Sequence, residues 1–435
     1  MDTRSFEAGT RLRPTLHLWQ LTASGVGIVI GAGIYVLVGE VAREAGTGVW
    51  LSFVVSAALA AVTALTYCEL AGMFPVAGVE YEWTARAFNR RAGFLAGWMM
   101  AVAYIIAAAA VALGFARYLQ HFVGLDTRVV AVALLLLLTG VIAIGIERSI
   151  WLSVGLACIQ ILGLVLVIVS GAPHIGDRPL IEGASAGGVL SGAALAFFAF
   201  IGFDDIATLS EETRDAAVVV PRALLLTLAI SGGLYVLVAL SAVSVVGAEL
   251  LGDSERPLAL VIEHDWGGRA GDIVATIALA STLNTTLLVL TAASRLLYAM
   301  ARAGELPRAL ARLRGRGRVP VVAAMAACAV AMPFAASGGL GLVASVTDFA
   351  VYATFVAVNL SVIVLRYRLP DAPRPFRVPL SMFGAPLPAL VALVTVAVVA
   401  AYLRPAALML GAGTVIAGLA AEWTSRRRWF RRWFA

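Results

Sequence analysis

Lysine is absent from this chain of 435 residues, whose 32 basic side chains are all arginine. A phosphate-binding GxxxxGK[ST] loop needs its lysine to reach the phosphates, and a Schiff base needs a lysine amine, so neither chemistry is expected. ATP hydrolysis falls with the first. Cysteine is scarce and odd in number: Cys68, Cys158 and Cys328 all lie inside apolar runs, where they read as small apolar fillers rather than disulfide partners or metal ligands. His17, His121, His174 and His264 are scattered with no ligand spacing, so no metal and no other cofactor is expected. Charge is the last scarcity. With 13% charged and 61% hydrophobic residues and a mean hydropathy of +0.93, the composition is far from that of a soluble domain and reads as an integral membrane protein.

Apolar runs of roughly 20 residues recur along the whole sequence, each long enough to cross about 30 Å of hydrocarbon as a helix. Twelve spans are expected, at residues 17–42, 48–73, 91–120, 128–146, 149–171, 186–211, 221–247, 270–302, 320–336, 342–366, 385–402 and 404–421. The run after His17 is too long for a cleavable signal peptide, so the first span is expected to remain as an anchor. Arginine sets the orientation: about 24 of the 32 basic residues fall on one side, from Arg4, Arg11 and Arg13 through the run Arg302 to Arg318 to the tail, against about 6 in the alternate loops. Both termini are therefore expected in the cytoplasm, with the chain crossing the cell (plasma or inner) membrane many times. The net charge of +6 calls for no nucleic acid, since the arginines suit anionic lipid headgroups and Trp429, Phe430, Trp433 and Phe434 suit the same interface.

Two spans carry weak points. "GVGIVIGAGIYVLVG", beginning at Gly25, has glycines at 31 and 33 that each cost a helix roughly 1 kcal/mol relative to alanine. "LAFFAFIGFDDIATLSEETRDAAVVVPRAL" reaches Gly202 and then places Asp204 and Asp205 where a lipid-facing acid costs roughly 3 kcal/mol. The interruptions lie about 170 residues and roughly five spans apart, as two inverted five-helix repeats with broken first helices require. A break at Gly31, Ala32 and Gly33 frees amides at the positive end of the following half-helix, which makes a carboxylate socket. A half-helix ending near Phe200 and Ile201 frees carbonyls for an ammonium. Together they describe a site for the zwitterionic backbone of an amino acid. The competing reading is that the glycines only permit close helix packing.

At these residues the sequence resembles the amino acid–polyamine–organocation superfamily of permeases, which has the five-plus-five inverted repeat called the LeuT fold. The resemblance runs roughly from Leu18 to Arg377 and rests on "IGAGIYVLVG", "TYCELAGMFPVAGVEYEW", "FFAFIGFDDIATLSEE", "PRAL" and "SRLLYAMARAGELP". It implies an all-α membrane fold with twelve helices: a tail over 1–16, a first repeat over 17–171, a second over 186–366, two peripheral helices over 385–421 and a basic aromatic tail over 422–435. It implies secondary-active or exchange transport of amino acids by alternating access; a membrane-embedded enzyme or receptor is the lower alternative, and no enzyme is expected because the sequence has no Ser/Cys/His set at a useful spacing for a nucleophile and base. By the same resemblance, Ile30, Gly31, Ala32 and Gly33 receive the substrate carboxylate, and Phe198, Ala199 and Ile201, beside Gly202, receive the ammonium through carbonyls. Phe198 matches the family's aromatic lid, and Tyr104 matches a frequent aromatic of the third span.

This sequence departs from the family pattern at several points. Ala32 stands where a hydroxyl is common, and Ala103 stands where cationic amino acid permeases often carry Glu. Gln160 occupies the place of a lysine in proton-coupled relatives. The side-chain end of the site looks small and apolar, so neutral amino acids are favoured; the alternative is a cationic amino acid or polyamine, with Asp204, Asp205 or Asp348 as counter-ion. An amide cannot titrate, so exchange, facilitated transport or coupling through Asp204 is expected in place of lysine-type proton symport. A proton or sodium ion acting elsewhere is the alternative. Ser281, Thr282 and Asn284 read equally as substrate or ion contacts and as back-bonds to their own helix. Glu69, Arg295 and Glu211 read as an inner gate or as snorkelled, solvated charges. The loop from Glu249 to Arg269 resembles the family's external lid. A cysteine placed at Arg316 should resist labelling from outside intact cells, and efficient labelling there would reverse the topology.

Overall fold

A computed structural model of the chain describes residues 16–75, 79–144, 150–314 and 319–433; Arg4, Arg11, Arg13, Arg316, Arg318 and Phe434 lie outside the described residues. It is helical almost throughout. The order is α1 (Leu18–Val29), α2 (Gly33–Ala45), α3 (Val49–Met73), α4 (Val79–Ala87), α5 (Arg90–Val123), α6 (Thr127–Ile144), α7 (Ile150–Gly171), α8 (Ala186–Ala196), α9 (Asp205–Thr208) and α10 (Ala216–Val246). Next come α11 (Ala248–Asp253), α12 (Pro257–Trp266), α13 (Gly268–Arg302), α14 (Val321–Ser337) and α15 (Leu340–Arg368). A two-residue hairpin, β1 (Ser381–Met382) with β2 (Ala385–Pro386), precedes α16 (Leu387–Ala401) and α17 (Pro405–Trp433).

Among the described residues nine helical segments are long and apolar enough to cross a bilayer, and Leu18–Val29, Val321–Ser337 and Leu387–Ala401 are shorter apolar helices. One of the nine, Gly33–Met73, contains both α2 and α3, joined by a tight turn at Gly46–Gly48. The spans follow the expected positions with two corrections. The seventh begins at Ala216, not Pro221, so the proline sits inside α10 rather than opening it. The last helix continues through Trp433, where a separate tail was expected.

Local chemistry sets the ends. Asn89 accepts from the Ala92 amide (3.0 Å) to open α5, which Gly124 closes at φ 64. Ser185 accepts from Gly188 (2.9 Å) to open α8, satisfying one of the four amides that any helix start leaves free. The centre of the bundle is α5, whose run Ala107–Ala112 is buried throughout and lets α13 and α15 approach closely.

The end of the bundle holding Leu18, α4 and the last turns of α13 and α15 is called the terminal face here, because Arg91 at the start of α5 pairs with Glu422 late in α17 (3.4 Å). Glu69 anchors it. Both its oxygens are buried and bonded: Oε1 to Arg366 Nε (2.9 Å) and Arg374 Nε (3.2 Å), Oε2 to the Val378 amide (2.8 Å) and to Arg366. The expected gate of Glu69 with Arg295 does not form, and the Glu211 side chain lies outside the described residues. Glu40 organises the opposite face. It is paired with Arg117 (3.1 Å), Arg404 (3.6 Å) and Arg43 (3.7 Å), while Arg117 also holds Glu255 (2.8 Å) and Arg404 holds Glu44 (3.0 Å). The loop from Glu249 to Arg269 is helical there, as α11 and α12, the latter started by Pro257, whose missing amide is no loss in a first turn; the helices fit a lid and a passive interfacial segment alike.

Glu69→Gln leaves two buried guanidinium groups short of a counter-charge, a change that costs about 3–5 kcal/mol in buried pairs. A clear fall in the Tm of the purified protein is expected. An unchanged Tm would show that Arg366 and Arg374 are satisfied without Glu69.

Candidate functional site

Both weak points in the sequence are breaks in the structure. At the first, α1 stops at Val29, Ile30 leaves helical geometry (ψ 69), and the Gly31 amide folds back onto the Val29 carbonyl (2.7 Å). The Ala32 amide crosses to Thr285 Oγ1 of α13 (3.1 Å). At the second, α8 tightens into a turn over Phe197–Phe200, unwinds at Ile201 (ψ 135) and passes Gly202 at φ 104, a conformation that side chains resist. It restarts at Asp205.

Tyr235 of α10 joins the two breaks. Its hydroxyl lies 2.6 Å from the Val29 carbonyl and 3.0 Å from the Ala199 carbonyl, and its one proton serves either acceptor. Among the described residues the amides of Gly33 and Ile34, opening α2, have no acceptor, and the carbonyls of Ile28 and Ile201 have no donor. These four groups are the raw material of a polar site in an apolar wall.

A cavity of about 320 Å³ lies between the breaks. Of the expected residues it is lined by Gly31, Ala32, Gly33, Tyr104, Phe198, Ala199, Ile201, Gly202, Asp205 and Arg295; Ile30, Gln160, Asp204, Ser281, Asn284 and Glu69 are not in its wall. Toward the terminal face the wall is completed by Thr208, Leu209, Thr291 and Arg295. Toward the opposite face it is shut by backbone contact: a Cβ added to Gly33 would meet Ala199 Cα at 2.6 Å, and one on Gly39 would meet the Leu251 carbonyl at 2.8 Å. Gly33 thus acts as a close-packing glycine, the competing reading of the motif, and at the same time lines the cavity.

The two adjacent acids part company. Asp205 Oδ1 accepts from the Tyr104 hydroxyl (2.7 Å) in the cavity wall, whereas Asp204 is turned into protein and accepts from the Gly202 amide (3.3 Å). Gln160 is buried with its carbonyl bonded to the Tyr35 hydroxyl and its side-chain amide unpaired among the described residues. Among the described residues the buried Asp348 has neither carboxylate oxygen bonded and the buried Ser281 hydroxyl has no hydrogen-bond partner. Thr282 back-bonds to Ala278 (2.7 Å), as its second reading had it.

Sequence reasoning missed Thr285 and Tyr235. Thr285 had a signal: with Leu288, Ala292 and Arg295 it forms one stripe of α13 at three- and four-residue spacing, and all four line the cavity. Tyr235 had none, because a lone tyrosine in an apolar helix does not announce which carbonyls it will meet.

A family model described as amino acid permease matches residues 16–419. The chain belongs to the amino acid permease family. It is 29% identical over 395 residues to the branched-chain amino acid permease BcaP of Bacillus subtilis, covering 85% of this chain and 84% of that one. It is 31% identical to the vacuolar cationic amino acid transporter 2 of Arabidopsis thaliana over 83% of this chain and 61% of the relative. It is 27% identical to a methylthioribose transporter of Bacillus subtilis over 87% of both. The chain is therefore a membrane transporter rather than an enzyme, within the amino acid–polyamine–organocation superfamily.

Because a β-carbon at position 33 would press on the Ala199 backbone, Gly33→Leu should abolish uptake. Gly33→Ala should lower it about tenfold or more, equivalent to about 1.4 kcal/mol. Phe198→Ala should raise KM more than it lowers Tm. Normal transport by Gly33→Ala would show that α2 and Ala199 need not touch.

Proposed function

We propose that this permease carries amino acids with small or branched apolar side chains by alternating access across the cell membrane, with both termini in the cytoplasm. The observation that carries the reading is the cavity held between two helix breaks, one offering unpaired amides and the other unpaired carbonyls. In this assignment the Gly33 and Ile34 amides take the substrate carboxylate, helped by the positive end of α2, with Thr285 beside them on Ala32. The Ile28 and Ile201 carbonyls and the Asp205 carboxylate take the ammonium. The Ala199 carbonyl, expected for that role, already carries the Tyr235 hydroxyl, so Ile28 replaces it in the assignment.

The twelve-helix, five-plus-five arrangement is part of the same proposal: 17–171 and 186–366 as repeats, with α16 and α17 outside them. It is supported by the matching breaks, each of which interrupts a helix that resumes a few residues later. Neutral substrates are favoured because Asp205 is the one carboxylate in the cavity wall and the ammonium engages it, leaving Val111, Phe198 and Ala107 for the side chain. The likeness to cationic transporters keeps a second reading in view, in which Asp205 meets a basic side chain instead.

An uptake comparison in proteoliposomes separates them. L-leucine should be taken up faster than L-arginine, and Asp205→Asn should abolish uptake of both. Faster arginine uptake would select the second reading, and transport of neither would overturn the substrate class.

A further inference from the structure

Glu80 lies outside the cavity and outside the membrane spans, on α4 at the terminal face, yet it is buried. Its Oε1 accepts from the Tyr67 hydroxyl of α3 (3.2 Å), and no arginine pairs with it among the described residues. The same Tyr67 packs edge-on against Phe203 (5.6 Å between ring centroids), the residue before Asp204 and Asp205, so one aromatic side chain connects Glu80 to the second break and its two acids. Burial, and then the nearby charge of Asp205, pushes the Glu80 carboxyl up to about 7.

The other charged and titratable neighbours are already committed. Within α4, Glu82 pairs with Arg86 (3.7 Å) on the exposed side, and the Tyr81 hydroxyl donates to Glu305 (3.1 Å), which Arg90 of α5 also holds. From α15 two side chains bond to α4: the neutral Ser361, against Thr84, and Arg368, which donates to the Ala87 carbonyl at the far end of α4 (2.7 Å), while Arg366 is spent on Glu69 of α3. On the cavity side Tyr104 of α5 is bonded to Asp205. Among the described residues no cation is paired with Glu80, which leaves its own proton, or a cation arriving at Asp205, to offset its charge.

We propose that Glu80 makes substrate binding pH-dependent from outside the cavity: a substrate ammonium at Asp205 releases the Glu80 proton to the terminal face, and loss of that proton strengthens binding of the ammonium. The proton leaves the Glu80 carboxyl for water, no bond to substrate is made, and the two effects are the same coupling free energy seen from either side. The sign follows from charge. An empty cavity leaves Asp205 repelling a Glu80 carboxylate and favours the protonated form; an ammonium on Asp205 removes that repulsion. Affinity therefore rises as pH rises through neutrality, by up to about tenfold for each pH unit by which bound substrate moves the Glu80 titration.

The inference rests on the cavity being the amino acid site, and binding of radiolabelled L-leucine and L-arginine to the purified full-length protein tests both. Wild type should bind the transported one several-fold more tightly at pH 8 than at pH 6, with proton release in weakly buffered solution. Glu80→Gln should still bind, with the pH dependence flattened and the proton release lost. Glu80→Asp should restore a pH dependence with a displaced midpoint, which a purely structural role for the side chain would not produce. An unchanged pH profile in Glu80→Gln would assign the titration to Asp205 and overturn the proposal while leaving the substrate site standing. Binding of neither amino acid by wild type would overturn the site and this inference with it.

Discussion

A backbone amide or carbonyl unpaired in hydrocarbon costs several kcal/mol, and this chain unwinds within two of its apolar helical stretches. Everything around the breaks answers to it. Thr285 takes the Ala32 amide, Tyr235 serves the Val29 and Ala199 carbonyls, and Gly31 turns back onto Val29. Of the groups these leave over, the Gly33 amide and the Ile28 and Ile201 carbonyls belong to residues that line a single cavity, so part of what the fold does not satisfy is what a zwitterion can.

The breaks were legible in the sequence because their residues are expensive: glycine weakens a helix and an intramembrane aspartate demands protein or water around it. Their partners were not. Glu69 meets Arg366 across 297 positions, and no periodicity connects them; an arginine near a span end looks the same whether it snorkels or inserts. Asp204 and Asp205 were indistinguishable for a related reason. Neighbouring residues leave a regular helix in different directions, but at a break neither direction follows from spacing, and it is the conformation of Gly202 that sends Asp205 to the cavity and Asp204 into protein. The start of α10 was misplaced because proline usually opens a helix, whereas here Asp215, at φ 46, makes the turn and Pro221 follows inside.

The buried charges divide into two kinds. Arg366 and Arg374 on the terminal face and the arginines of the Glu40 cluster are matched to acids, while among the described residues the side-chain and backbone partners of Glu80, Asp204 and Asp205 are tyrosines and a backbone amide. An acid cluster without a counter-ion is poor engineering for stability, since a buried pair lacking one partner costs more than an apolar replacement. Its location against the cavity accounts for its presence better than packing does, because a cation arriving there meets charge that has no other claimant.

Alternating access sorts these contacts by strength. A permease must open and close with free-energy differences of a few kcal/mol, so the contacts that part have to be individually weak and the ones that stay can be strong. The opposite face has the weaker kind: Glu40 is buried, but its partners Arg43 and Arg404 are partly solvated, and the glycine contacts at 33 and 39 are dispersion alone. The terminal face has the strong kind in Glu69 with Arg366 and Arg374, buried and fully hydrogen-bonded, joining α3 to α15. Under the proposed alternating access, that difference would separate a scaffold of α3, α5 and α15 from the half-helices at the two breaks. It would also put the moving contact where α2 meets Ala199, so that the glycine that lets two backbones touch would be the one whose separation admits the ligand.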